Sequence, residues 1–191
     1  MTTRFPRVLA AVTVVAGLAV LAGCGSSGGG NAAPAGTAPT STATAATGLF
    51  TLTSSAFGDN QPIPRKFTCQ GAGVSPELTW DGMPAGTKSL ALLAVDPDAP
   101  MQGGFTHWVL AGIDPAAGTL AEGTTAGTPG PNSAGDAGYA GPCPPSGTHH
   151  YIFTLYALAA PIKGTPDRKA IEAAGAGALG KAVLTGTYEQ S

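Results

Sequence analysis

The chain is poor in charge. Only 10% of its 191 residues are Asp, Glu, Lys or Arg, against about 25% in an ordinary soluble protein. Its nine basic residues form no cluster, so the cationic stripe that neutralises a nucleic-acid backbone is missing and that class of partner is excluded. Neither a Gly-x-Ser-x-Gly elbow nor a His-Glu-x-x-His helix occurs, which removes the common signatures of a serine hydrolase and of a zinc peptidase. What the chain has in excess is Gly and Pro, 29 and 17 residues, close to the composition of low-complexity sequence. Yet 43% of it is apolar, enough at this length to build one core.

Residues 1–23 are an address. Arg4 and Arg7 precede an apolar stretch over residues 8–21, which ends at Leu21-Ala22-Gly23-Cys24. A short basic region, a brief apolar stretch and small residues at a cleavage site make a secretory signal, and the stretch is shorter than the ~20 apolar residues of a spanning helix. The tetrapeptide resembles the bacterial lipobox. That implies cleavage before Cys24, lipid on its thiol and a further acyl chain on its amino group, with several chains giving stable anchoring where one is marginal. Residues 25–47 hold Gly, Ser, Ala, Thr, Pro and one Asn, without charge or large apolar groups. Such a segment buries too little surface to offset its ordering entropy, so 24–47 is expected to be a lipidated Cys followed by a disordered tether. The domain proper is then 48–191, with seven basic and eleven acidic residues. A mildly acidic domain gains nothing from an anionic bilayer by bulk charge, so the expected location is the extracytoplasmic face of a bacterial membrane, held by the anchor.

Within the domain, residues 49–53 alternate in the strand manner, 78–80 are short and β-prone, and 89–95 are a continuous apolar run of the kind buried on both faces. Residues 107–113 and the aromatic 150–158 are further strands, and 182–188 a last one. Residues 168–179 carry helix formers weakened by Gly175 and Gly177. The expectation is an all-β fold, an antiparallel β-sandwich with one or two small helices near the C-terminus. Residues 118–138 read as one long Gly/Thr/Ala loop.

The three histidines all stand where strands meet loops. His107 opens a strand after Asp96-Pro97-Asp98-Ala99-Pro100, and His149 and His150 open the aromatic strand after Tyr139-Ala140-Gly141-Pro142-Cys143-Pro144-Pro145-Ser146-Gly147. By alternation Asp96 and Asp98 point the same way, and His149 shares a face with Tyr151 while His150 takes the other. These segments, with Ser75-Pro76-Glu77-Leu78-Thr79-Trp80 and His107-Trp108, resemble the phosphatidylethanolamine-binding protein family, most of all its bacterial YbhB/YbcL or Raf-kinase-inhibitor-like branch. The resemblance runs from about residue 50 to residue 188. It implies a β-sandwich with a small pocket that takes a phosphate, acetate or phospholipid headgroup, at positions matched here by Asp96, Asp98, His107, Tyr139, Gly141, His149 and Tyr151. Where the family commonly has His-Arg-Tyr, this chain has His149-His150-Tyr151, which removes a permanent charge and a bidentate donor.

The residue chemistry suits such a pocket. A phosphate wants N–H donors, which His107 and His149 supply from their rings and a backbone amide near Gly141 supplies at close approach. Asp96 and Asp98 are expected to accept from imidazole N–H groups and raise the His pKa values, with a spare carboxylate edge for an ethanolamine ammonium. No cofactor is implied. Two other uses of the same residues stay open: a protein-interaction module that inhibits a serine protease or another envelope enzyme, and a metal site on Asp96, Asp98, His107 and His149. With Cys24 lipidated, Cys69 and Cys143 are left as a pair in an oxidising compartment, either bridged or two buried free thiols.

Overall fold

The computed structural model describes residues 48–190; the leader, Cys24 and the 25–47 segment lie outside the described residues. Nine strands and one helix follow in order: β1 (Thr51–Thr53), β2 (Gln61–Pro62), β3 (Leu78–Asp81), β4 (Ser89–Asp96), β5 (Phe105–Ile113), β6 (Thr119–Leu120), β7 (Thr128–Gly130), β8 (Thr148–Leu158), α1 (Arg168–Gly175) and β9 (Gly180–Glu189). Two single 3₁₀ turns, Arg65–Phe67 and Pro115–Ala117, complete the set. The strands make a three-stranded sheet, β1-β3-β6, and a six-stranded sheet, β2-β9-β8-β4-β5-β7. Leu52, Leu78, Trp80 and Leu120 of the small sheet pack against Leu90, Leu92, Trp108, Phe153, Leu155 and Leu184 of the large one. This is the expected sandwich.

β4 is central, hydrogen-bonded on one side to β5 and on the other to β8. Its apolar run is explained by what covers it. One set of its side chains enters the inter-sheet core, and Ala91 and Leu93 pack beneath α1 through Ile171. Asp167 caps that helix by accepting from the Ala170 N–H at 2.7 Å, and the glycines that weaken its C-terminal end stop it at Gly175 rather than near 179.

Two expectations need correction. The 118–138 segment is not one loop, because β6 and β7 lie within it and pair with β3 and β5. Strands of two or three residues carry too little pattern to be read alone; their partners define them. The sandwich is also not wholly antiparallel, since β2 runs parallel to β9.

The turn from β4 to β5 shapes the site. Gly104 has φ +75°, and a Cβ there would come 2.3 Å from the Asp96 carbonyl oxygen. Only glycine lets the chain double back this closely. Arg168 holds the same turn from outside, donating from Nη1 to the Gly103 carbonyl at 2.8 Å.

Candidate functional site

A cavity of about 560 Å³ opens at the end of the large sheet where β4 stops and β5 and β8 begin. Asp96, His107 and His149 are its ionisable lining, set among Ala99, Pro100, Met101, Phe105, Ala140, Gly141, Cys143 and Pro145. The walls are therefore largely apolar, with a few convergent polar groups, the usual make-up of a small-ligand site.

Register brings the three together. Asp96 pairs with Phe105 across β4–β5, and Val95 with Ile152 across β4–β8. His107 stands two residues past Phe105 and His149 three before Ile152, so all three side chains meet at one sheet end. Asp96 is buried and fully engaged. Its Oδ1 accepts from the Asp98 N–H at 2.8 Å and the Ala99 N–H at 3.1 Å, and its Oδ2 accepts from His149 Nδ1 at 2.7 Å. Three of the acceptor sites of Asp96 are thus taken by the turn amides and by His149, while the carboxylate still lines the cavity.

His107 is also buried, and its Nδ1–H donates to the Ala140 carbonyl at 2.7 Å. Its ring lies between Phe105, with centroids 4.6 Å apart, and Tyr151, edge-on at 5.0 Å. Burial holds its pKa below the usual imidazole value, outweighing the Ala140 hydrogen bond and the nearby Asp96, which act the other way. This corrects the expectation of a carboxylate-raised imidazole at 107: the carboxylate partner goes to His149 and His107 receives a carbonyl. In both histidines Nδ1 is committed to the protein. Nε2 makes no hydrogen bond within the described chain and is the nitrogen left for the cavity.

The remaining sequence candidates divide. Gly141 lines the cavity. Its N–H has no partner among the described residues, and a Cβ there would come within 3.0 Å of the Thr68–Cys69 backbone. Tyr151 is 1% exposed, beneath the lining, with burial pushing its phenol well up and the Cys143 backbone acting the other way. Tyr139 turns away: it donates to the Phe67 carbonyl at 3.0 Å, stacks edge-on against Trp108 and walls a separate hollow. Asp98 stands outside the lining. Its Oδ2 accepts from both the N–H and Nδ1 of exposed His150, each at 2.8 Å, and this hydrogen bonding holds its carboxyl below the usual range. Alternation failed for Asp98 because β4 ends at Asp96 and the chain turns. It held for His149 and Tyr151, both buried, against His150. Among the described residues no group of three or more His, Cys, Asp or Glu is arranged to hold a metal ion.

Cys69 and Cys143 are joined, with Cα atoms 5.5 Å apart. Together with the Cys69 N–H donating to the Pro142 carbonyl at 3.0 Å, the bridge pins the 139–145 wall to the segment after the first 3₁₀ turn. Sequence reasoning missed Phe105 and Met101 in the lining. Phe105 was findable, two residues before His107 on the same strand and hence on the same face.

Comparison with known proteins agrees with this architecture. The family model described as "Phosphatidylethanolamine-binding protein" matches residues 53–189. "Putative lipoprotein LppC" of Mycobacterium tuberculosis is 42% identical over 99% of this chain and 100% of its own length. Among solved structures, the phosphatidylethanolamine-binding protein homologue CT736 of Chlamydia trachomatis superposes with a TM-score of 0.71 at 38% identity, over 75% of this chain and 99% of that one. Escherichia coli YbcL gives 0.69 at 30% identity, over 75% and 100%. With a family model covering nearly the whole described domain and relatives of this identity aligned end to end, the chain belongs to the phosphatidylethanolamine-binding protein family.

Proposed function

We propose that this is a lipid-anchored, non-enzymatic binding protein of the bacterial cell envelope, exposed on the extracytoplasmic face, whose cavity takes an anionic group: a phosphate, free or as a phospholipid headgroup. The observation that carries it is the shared orientation of the two histidines. Each has Nδ1 tied to the protein, by Ala140 or by Asp96, so each turns Nε2 to the same apolar hollow. A protonated Nε2 donates a charge-assisted hydrogen bond, stronger in an apolar wall than in water. The unpartnered Gly141 N–H supplies a further donor at the rim.

Burial favours the neutral form of His107, whose Nε2 then offers a lone pair to the cavity, so an anion bound there enters together with a proton. That makes binding tighter as pH falls. A binding role is supported by a lining without a hydroxyl or free-thiol nucleophile: no Ser or Thr is among the cavity residues, and Cys143 is locked in the disulfide. The lipid anchor is supported by the Leu-Ala-Gly-Cys24 motif and by the lipoprotein name of the mycobacterial relative.

Titration with phosphoethanolamine and with inorganic phosphate, followed by histidine side-chain NMR, tests the proposal. Saturable shifts are expected at His107 and His149 but not at His150, and are expected to vanish in His107→Ala. Shifts from phosphoethanolamine alone would point to a headgroup, and from both to phosphate in general. No shift up to millimolar ligand would overturn the proposal.

A further inference from the structure

Strand register separates two ends of the large sheet. The cavity lies where Asp96, Phe105 and His149 meet. At the other end stand Ser89, Ile113, Leu158 and Gly180, joined through the pairs Ser89–Leu158, Leu90–Ile113 and Ala157–Gly180. β4 spans eight residues between them, a length of roughly 23 Å. The described domain begins at the end remote from the cavity. A Cβ on Gly48 would lie 3.8 Å from Gly82, and one on Gly180 would lie 3.3 Å from the Phe50 ring.

That same end carries two of the four exposed large hydrophobic side chains. Four large hydrophobic side chains are exposed among the described residues: Leu49 at 88%, Leu179 and Val183 at 44% each, and Met101 at 48%. Met101 belongs to the cavity rim. Leu49 and Leu179 instead flank a groove of about 390 Å³ whose other walls include Phe50, Met83 and Pro84 and whose charged member is Lys181. Val183 follows Lys181 on the same face of β9, outside the core that takes Ala182 and Leu184. Apolar side chains beside a lysine are the pattern of a surface that settles into the boundary between headgroups and acyl chains.

We propose that the Leu49–Leu179 end of the sandwich is a membrane-contact surface for the bilayer that holds Cys24, seating the domain with its Asp96–His149 cavity pointing away from that bilayer. The occupant follows from where the chain enters. Gly48 forms part of the groove, and Cys24 lies 24 positions upstream. A chain of that length spans at most about 80 Å when fully extended, so the groove is the part of the domain kept at the highest effective concentration near the bilayer. The surface rests on the lipid-anchor reading of Cys24. Its consequence for the cavity is that ligand arrives from the aqueous side, not from the bilayer beneath.

The test uses the full acylated chain in vesicles of phosphatidylethanolamine and phosphatidylglycerol, with or without brominated acyl chains. A fluorescent amino acid replaces Leu49 in one protein and Met101 in another, both exposed positions. Bromolipid quenching is expected to be about threefold or more greater at 49 than at 101, as for a side chain seated at the acyl boundary. Leu179→Ser is expected to lower quenching at 49 with an unchanged circular-dichroism spectrum. Equal quenching at both positions, or stronger quenching at 101, would overturn the proposal. So would shielding of 49 that grows with protein concentration and ignores the bromines, which would mean that a second copy covers the groove. A Cys24 shown by mass spectrometry to carry no lipid would remove the anchor reading and this surface with it, leaving the cavity proposal untouched.

Discussion

His107 and Ala140 are bonded to each other twice: the Ala140 N–H donates to the His107 carbonyl at 2.8 Å, and the His107 Nδ1–H donates to the Ala140 carbonyl at 2.7 Å. The first bond joins a loop to a strand as any backbone pair does. The second uses the ring's own donor, and thereby fixes which nitrogen faces the cavity. His107→Phe keeps an aromatic ring between Phe105 and Tyr151 but removes both nitrogens. The fold is expected to survive with a loss of about 1–2 kcal/mol in urea unfolding, the usual cost of leaving one acceptor unpaired. Phosphate affinity is expected to fall at least tenfold, about 1.4 kcal/mol. Unchanged phosphate affinity would remove His107 from the binding machinery.

The depressed pKa of His107 gives two pH dependences of opposite sign. An unfolded chain takes up the His107 proton near 6.5, whereas the folded one takes it up at lower pH because the ring is buried. Stability from this group is therefore complete above 6.5 and is lost as pH falls toward the folded value. An anion in the cavity favours the protonated ring and acts the other way, so its affinity rises across the same window. Asp96 and His149 face His107 there, and the exposed Asp98–His150 pair stands outside. Melting curves from pH 8 to 5.5, with and without sulfate, whose charge is constant across that range, are expected to diverge increasingly on acidification. Parallel curves would mean that anion binding and His107 protonation are not linked.

The disulfide closes a loop between positions 74 apart, which the chain-entropy model values at about 4 kcal/mol. A Cys69→Ser, Cys143→Ser double variant is expected to lose stability of that order. Because Ala140, the ring partner of His107, sits in the wall that the bridge pins, anion affinity is expected to weaken as well. Guanidinium unfolding of the oxidised protein and of the double variant measures the first effect, and titration at equal folded fraction measures the second. A variant with unchanged affinity would show that the hydrogen bonds to Phe67 and Cys69 hold the wall unaided.

How much of this was legible depended on the length of the pattern. β8, with eleven residues alternating through Tyr151, Phe153 and Leu155, and β4, apolar along its whole run, declared themselves. β2, β6 and β7 did not, since each is two or three residues long and two of them contain proline, Pro62 and Pro129. Both sit at sheet edges, where a missing N–H costs no ladder bond. At the site, the family motifs named segments that the fold brings to one end of the large sheet, but roles assigned by residue chemistry alone did not anticipate the backbone. Asp98 left the pocket because the strand had ended, and one oxygen of Asp96 went to the turn amides. His107 lost its carboxylate because a carbonyl was nearer. None of these competitors is visible as a residue type.

Asp96 invites the most specific prediction, because its two oxygens do different things. Oδ1 caps the turn amides and Oδ2 receives the His149 Nδ1–H. In Asp96→Asn the side-chain oxygen retains the cap and the NH₂ group faces His149. An amide NH₂ donates and cannot accept, so His149 must present an unprotonated Nδ1 and move its proton to Nε2. The neutral ring then offers the cavity a donor where it had offered a lone pair. Imidazole ¹⁵N shifts near neutral pH are expected to show the Nδ1–H tautomer in the parent and the Nε2–H tautomer in the variant. Anion binding near pH 8 is expected to be retained or tightened, since the donor no longer requires protonation and a buried negative charge is gone, while its rise on acidification becomes shallower. A variant that keeps the Nδ1–H tautomer, or that binds anions more weakly at pH 8 while its turn stays intact, would show that the Asp96 charge itself, and not the orientation it imposes on His149, sets the affinity of the cavity.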